Sequence, residues 1–102
     1  LVIVARRERD ESYARCYEKN GQYSAIGRVL VSEHHRGKGI ASKLVEQAIA
    51  CCKTHWPERD IVIGAQTYLL DFYESFGFKC TGDAYLEDGI PHQDMVLKIN
   101  NG

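Results

Sequence analysis

The pattern that most restricts this chain lies between Ser24 and Ala65, where the periodicity of apolar residues changes twice. Ser24 to Val31 groups Ile26, Val29, Leu30 and Val31, the composition of a buried strand. Ser32 to Gly39 breaks that run. From Ile40 the apolar residues Ile40, Leu44, Val45, Ala48, Ile49 and Cys52 recur at helical spacing, with Lys43, Glu46, Gln47 and Lys53 on the other face. Trp56-Pro57 ends the helix, because the residue before a proline is driven out of the helical region. Ile61 to Ala65 is β-branched again and reads as a strand. Strand, helix, strand in this order is a βαβ unit, whose crossover is right-handed and whose strands run parallel.

The flanks add to this unit. Leu1 to Arg6 reads as a strand, whereas Arg7 to Gly21 is charged and aperiodic, a connection ending in the turn-like pair Asn20-Gly21. A second helix is predicted where Leu69, Leu70, Phe72, Tyr73 and Phe76 cluster, with Gly77 as its stop. Phe78 to Tyr85 and Gln93 to Ile99 then read as strands on either side of the turn-rich loop Glu87-Asp88-Gly89-Ile90-Pro91. The expected fold class is α/β, with α+β elements on a mixed sheet. At 102 residues and 11.6 kDa, with 44% hydrophobic and 26% charged residues, the chain is expected to form a single domain over 1–102, with one core and one cleft. It starts at Leu1, inside an apolar run, like a strand entered midway, so upstream sequence is expected to be missing.

Several function classes are disfavoured. Thirteen Lys plus Arg against fourteen Asp plus Glu leave a formal charge of −1, so no bulk field draws the chain to nucleic acid or to a membrane. No apolar run approaches the ~18 residues that span a bilayer, and no signal-peptide pattern opens the chain, which reads as cytoplasmic. The cysteines Cys16, Cys51, Cys52 and Cys80 form no C-x-x-C pair and no zinc spacing with a histidine pair, so no metal is expected. Cys51 and Cys52 fall in the helical pattern, where a free cysteine acts as a small hydrophobe.

The stretch Val29 to Ala41, running from strand to helix, carries the chemistry. Gly37 and Gly39 let the backbone approach a ligand closely, and the first N–H groups of the next helix point outward with the positive end of its dipole. Such a geometry suits a pyrophosphate, and Arg36 and Lys38 add cationic donors at the rim. A Walker loop is excluded, since Ser32 takes the place of its first glycine and Gly39 follows Lys38 where Ser or Thr is required. A dinucleotide fingerprint fits poorly, because Ser42 follows Gly37 and Gly39 where its third small residue belongs.

The remaining match, Arg36-x-x-Gly39-x-Ala41, resembles the acetyl-CoA loop R/Q-x-x-G-x-G/A of the GNAT N-acetyltransferases. Downstream, Gln66 to Phe78 resembles that family's N-x-x-A-x-x-x-Y-x-x-x-G-F. Tyr73, Gly77 and Phe78 match there, while Gln66 replaces the usual Asn and Leu69 the small residue. The runs Ile26-Gly27-Arg28-Val29, His55-Trp56-Pro57 and Glu87 to His92 are similar to its ElaA-like branch. The resemblance covers Ser24 to about Leu97 and implies the GNAT fold, here lacking its first strand and helices.

The resemblance implies an enzyme that moves acetyl from acetyl-CoA to a primary amine by direct attack. Val29, Leu30 and Val31 would line the pantetheine arm, with the backbone of the last two pairing to it like an added strand, and a nearby N–H would polarise the thioester carbonyl. Arg36, Gly37, Lys38, Gly39, Ile40 and Ala41 would hold the pyrophosphate, and Gln66 would contact the cofactor through its amide. Tyr73 would protonate the departing thiolate. For the base that takes the acceptor's proton, Glu33, His34, His35 and His92 all stand open, with His92 placed on the acceptor side. The other reading is a noncatalytic CoA-binding or protein-interaction module of the same fold. The acceptor is a small molecule or a protein amine, and a sheet edge left exposed by a missing start would favour a homodimer.

Overall fold

A computed structural model of the chain describes residues 2–7, 12–30 and 39–99. Its elements, in order, are β1 (Val2–Arg7), β2 (Ser12–Lys19), β3 (Tyr23–Leu30), α1 (Ile40–His55), β4 (Asp60–Gln66), a 3-10 turn (Thr67–Leu69), α2 (Leu70–Glu74), β5 (Lys79–Glu87) and β6 (Ile90–Leu97). The strands form one mixed sheet in the order β1-β2-β3-β4-β6-β5. β3 and β4 run parallel, as the βαβ pattern requires, and every other neighbouring pair is antiparallel.

The six apolar positions predicted for the first helix are the six that α1 buries: Ile40, Leu44, Val45, Ala48, Ile49 and Cys52. They pack on Ala14 and Cys16 of β2, Ile26 of β3 and Ile61, Ile63 and Ala65 of β4; Met95, Tyr73 and Phe78 complete the same cluster. α1 and Tyr73 of α2 therefore share one face of the sheet. Strand side chains alternate, so Tyr17, Val62, Gly64, Asp94 and Val96 face the other side, where they line an open groove of about 370 Å³.

Three boundaries differ from the expectation. The segment from Arg7 to Gly21, expected to be a connection, contains β2, paired on both edges. Its core-facing residues are Ala14 and Cys16, both fully buried. Side chains this small alternate with Tyr13, Arg15 and Tyr17 without producing the contrast that marks a strand. Ile90 and Pro91, assigned to a loop, begin β6, and the β5–β6 turn shrinks to Asp88 and Gly89, both at positive φ (52° and 76°). Pro91 is tolerated because β4 pairs with β6 only as far as His92, leaving no β4 partner for the missing N–H. The second helix is shorter than its apolar pattern, because Phe76 N–H and Gly77 N–H bond back three residues, to Tyr73 and Glu74, and tighten the last turn.

Candidate functional site

The site is organised by the place where β3 and β4 separate. Their parallel pairing runs from Tyr23 opposite Asp60 to Ile26 opposite Ile63. Both strands continue, β3 to Leu30 and β4 to Gln66, without further pairing to each other among the described residues. Their outer edges remain paired: Gly27 and Leu30 with Arg15 and Tyr13 of β2, and Gly64, Ala65 and Gln66 with Asp94, Gln93 and His92 of β6. Among the described residues the inner edges, which face each other across the opening, lack a strand partner. Backbone groups in that position need water or an extended guest to satisfy them. Val29 and Leu30 lie on this edge of β3; Val31 is outside the described residues.

A glycine begins the opening on each side. A Cβ on Gly27 would stand 3.3 Å from Tyr17 Cε1, and one on Gly64 would stand 2.8 Å from Tyr85 Oη. Each glycine is thus overlain by a tyrosine on the open face. Gly64 is required by the close approach of Tyr85 and not by its backbone angles.

α1 begins beyond the end of β3. Gly39 adopts a left-handed conformation at φ 74°, which suits glycine, and its carbonyl accepts the Lys43 N–H at 3.2 Å. It provides no side-chain cap, the first turn of α1 holds no carboxylate, and among the described residues nothing lies within 4 Å of where a Cβ would sit. Among the described residues nothing caps the leading N–H groups at the positive end of the dipole, a place that suits an external anion. Ile40 is buried and Ala41 half-buried, so both offer backbone and not side chain to such a ligand. Arg36, Gly37 and Lys38 lie outside the described residues, as do Glu33, His34 and His35.

Tyr73 sits on the helix-covered face, 5% exposed, with its ring edge-on to Phe72 and Phe78 at centroid separations of 5.1 and 6.1 Å. Burial, reinforced by the neighbouring Tyr68 phenol, raises its pKa to about 12, so it keeps its proton throughout the neutral range. Tyr68 is 76% exposed, a surface aromatic.

His92 lies in β6, not in a loop, opposite Gln66 of β4 and two residues before Asp94. It is 8% exposed, and the Tyr85 ring stacks on it at 5.8 Å. Its Nδ1 is 2.7 Å from the Ile90 carbonyl, an acceptor only, so Nδ1 carries the donated proton and Nε2 holds the lone pair in the neutral ring. Nε2 lies 3.4 Å from Glu87 Oε2. Tyr85 O–H donates to Asp94 Oδ1 at 2.8 Å. Desolvation of the phenol, that hydrogen bond and the charges of Asp94 and Glu87 together raise the Tyr85 pKa to about 12.

The sequence singled out neither Tyr85 nor Asp94. Between Thr81 and Tyr85 the β5–β6 register shifts, and Gly82 stands there at φ 68°. Gln93 Nε2 fills the irregularity by donating to the Thr81 and Gly82 carbonyls at 3.0 and 2.7 Å. Such a bulge re-aims the residues that follow it. The available signal was Gly64, a glycine inside the β-branched run Ile61 to Ala65, which marks close approach by another group.

Two predicted residues, Tyr73 and His92, therefore lie on opposite faces of the sheet, and half-buried Gln66 ends β4 opposite His92. Among the described residues no cluster of three His, Cys, Asp or Glu is placed to hold a metal, and no helix is long and apolar enough to cross a membrane.

Comparison with known proteins matches residues 2–99 to the family model described as the acetyltransferase (GNAT) domain. The protein ElaA of Escherichia coli strain K12 is 39% identical over 90 residues, which are 86% of this chain and 59% of that protein. The crystal structure of Escherichia coli ElaA superposes with a TM-score of 0.80 over 85% of this chain and 60% of that one, at 38% identity. An acyl-CoA N-acyltransferase from Pseudomonas aeruginosa gives 0.80 over 84% and 59%, at 32% identity. The Bacillus subtilis acetyltransferase solved in complex with CoA shares the fold, with a TM-score of 0.75 over 95% and 75% at 20% identity. The chain thus spans about three fifths of the length of ElaA.

Proposed function

The chain belongs to the GNAT acetyltransferase family, and from that membership and the geometry above we propose that it transfers an acetyl group from acetyl-CoA to a primary amine by direct attack. The observation that carries this reading is the separation of β3 from β4 beyond Ile26 and Ile63, next to a helix whose N-terminus is left uncapped by Gly39. An extended arm ending in an anionic group fits that combination, and it fits CoA, the ligand of the Bacillus subtilis relative.

Acetyl-CoA, when bound, supplies the acetyl group as an activated thioester. Val29 and Leu30 would offer the unpaired edge of β3 to the pantetheine arm, a role proposed for Val31 as well, and Gln66 would offer its amide from the end of β4. The N–H groups at Gly39, Ile40 and Ala41, with Arg36, Gly37 and Lys38, hold the pyrophosphate. Tyr73, protonated and buried on the helix face, donates its proton to the departing sulfur. His92 on the opposite face receives the amine's proton at Nε2, which lies 3.4 Å from Glu87 Oε2. With proton donor and proton acceptor on opposite sides of the sheet, the amine enters from one face while the thiol departs toward the other.

The test is Tyr73→Phe assayed with acetyl-CoA and an amine panel. Loss of a general acid is expected to lower kcat by about 10²- to 10⁴-fold while acetyl-CoA affinity stays within about twofold. An unchanged kcat would remove Tyr73 from the reaction, and acetyl-CoA binding without turnover by the unaltered chain would favour a noncatalytic CoA-binding module.

A further inference from the structure

The residues beside the opening on the acceptor face carry information about the amine. Asp94 lies opposite Gly64, the first β4 residue past the last β3–β4 pair, and is exposed. Its Oδ1 accepts the Tyr85 hydroxyl at 2.8 Å. That hydroxyl occupies the space a side chain at position 64 would need, 2.8 Å from the Cβ position. The carboxylate is therefore fixed at the mouth of the opening by a rigid aromatic, with Oδ2 left to meet an incoming ligand. Thr81, across from Asp94 on β5, brings no charge. At its other end the groove turns basic, with Lys19 and Lys98 on its lining. Lys98, just past the end of β6, is four residues from Asp94, roughly 13 Å at about 3.3 Å per residue, and its Nζ lies 3.6 Å from Asp60 Oδ2.

An amine must shed its proton before it attacks a thioester, so the charge on the reacting nitrogen vanishes as the reaction proceeds. A carboxylate that binds through the transition state needs a positive charge that persists. We propose that Asp94, held by Tyr85 over Gly64, is an acceptor-binding residue that takes a second, non-reacting ammonium group, which makes the substrate class a short diamine. Asp94 is the one acid among the described residues that line the groove, so a longer polycation lying along it meets no second carboxylate there. Tyr85 is a positioning residue, acting through Asp94. The inference rests on the acetyltransferase reading and specifies its acceptor.

The experiment titrates CoA-saturated protein with putrescine and with butylamine, which share a four-carbon chain and differ by one ammonium group. The unaltered chain is expected to prefer putrescine by about fivefold or more, the size of an exposed to partly desolvated charge-assisted pair. Asp94→Asn keeps an oxygen to accept the Tyr85 hydroxyl while removing the charge, and is expected to bring the two affinities within about twofold. Tyr85→Phe is expected to reduce the preference partially with CoA affinity unchanged, a selective effect that general loosening of the strand does not produce. Equal affinities in the unaltered chain, a preference retained in Asp94→Asn, or no binding of either amine overturns the proposal. Failure of CoA itself to bind is a separate result, which removes the parent reading first.

Discussion

At the scale of single residues, two tyrosines with similarly raised pKa values do different work because of what surrounds them. Tyr73 is packed among aromatic rings, and its burial favours the neutral phenol. Its folded pKa, about 12, exceeds the ordinary value of 10.0. Its contribution to stability is therefore complete below pH 10 and is lost as the pH rises toward 12. Denaturant titrations of Tyr73→Phe across this range are expected to show a shallower alkaline loss than the parent, by about 1–3 kcal/mol, since Tyr85 titrates in both proteins and cancels. Tyr85 is instead held by one hydrogen bond over one glycine. In Gly64→Ala the new methyl group crowds the far end of the Tyr85 side chain and stands at ordinary contact distance from Asp94 Oδ1, so the fold is expected to survive while the phenol swings away from Asp94. Ultraviolet titration is expected to return the Tyr85 pKa toward the ordinary tyrosine value; an unchanged pKa would contradict the contact. None of this pairing was legible from residue order, because it depends on the bulge between Thr81 and Tyr85, and local propensity does not set strand register.

At the scale of elements, legibility followed side-chain size. α1 was read from sequence with all six buried positions because Ile, Leu and Val contrast sharply with Lys, Glu and Gln on the opposite face. Replacing the fully buried Leu44 with Ala is expected to lower unfolding stability by about 2–5 kcal/mol, measured by denaturant titration; a change under about 1 kcal/mol would mean that α1 does not pack on the sheet as described. β2 went unread because Ala14 and Cys16 fill the narrow space beneath α1, where the Cys16 thiol donates to the Ala48 carbonyl at 3.6 Å. Close approach of helix and strand excludes larger side chains there, so the element most intimately packed on α1 carries a weak apolar signal. Its turn was nonetheless visible: Asn20 and Gly21 take φ values of 56° and 68°, and Gln22 N–H closes the turn on the Lys19 carbonyl at 3.2 Å.

At the scale of the whole molecule, the βαβ unit read from sequence explains why the sheet opens where it does. A right-handed crossover places α1 over the sheet and its N-terminus beyond the carboxyl end of β3, where neighbouring strands of such sheets host ligands. Separation of β3 from β4 then exposes an edge of backbone within the sheet interior. The glycine motifs point to the start of α1 from residue order alone, whereas the grouping of Gly64, Tyr85, His92 and Asp94 is drawn from three strands and has no such local signal. The central claim is that this cleft binds acetyl-CoA, and calorimetric titration of the chain with acetyl-CoA tests it most directly, with Gly39→Gln and Gly39→Glu alongside. Both variants impose the same strain at a positive φ, so their difference isolates the charge placed at the start of α1. The account predicts saturable one-to-one binding to the parent, weaker binding to Gly39→Gln and the weakest to Gly39→Glu; a folded parent that does not bind acetyl-CoA, or two variants of equal affinity, would contradict it.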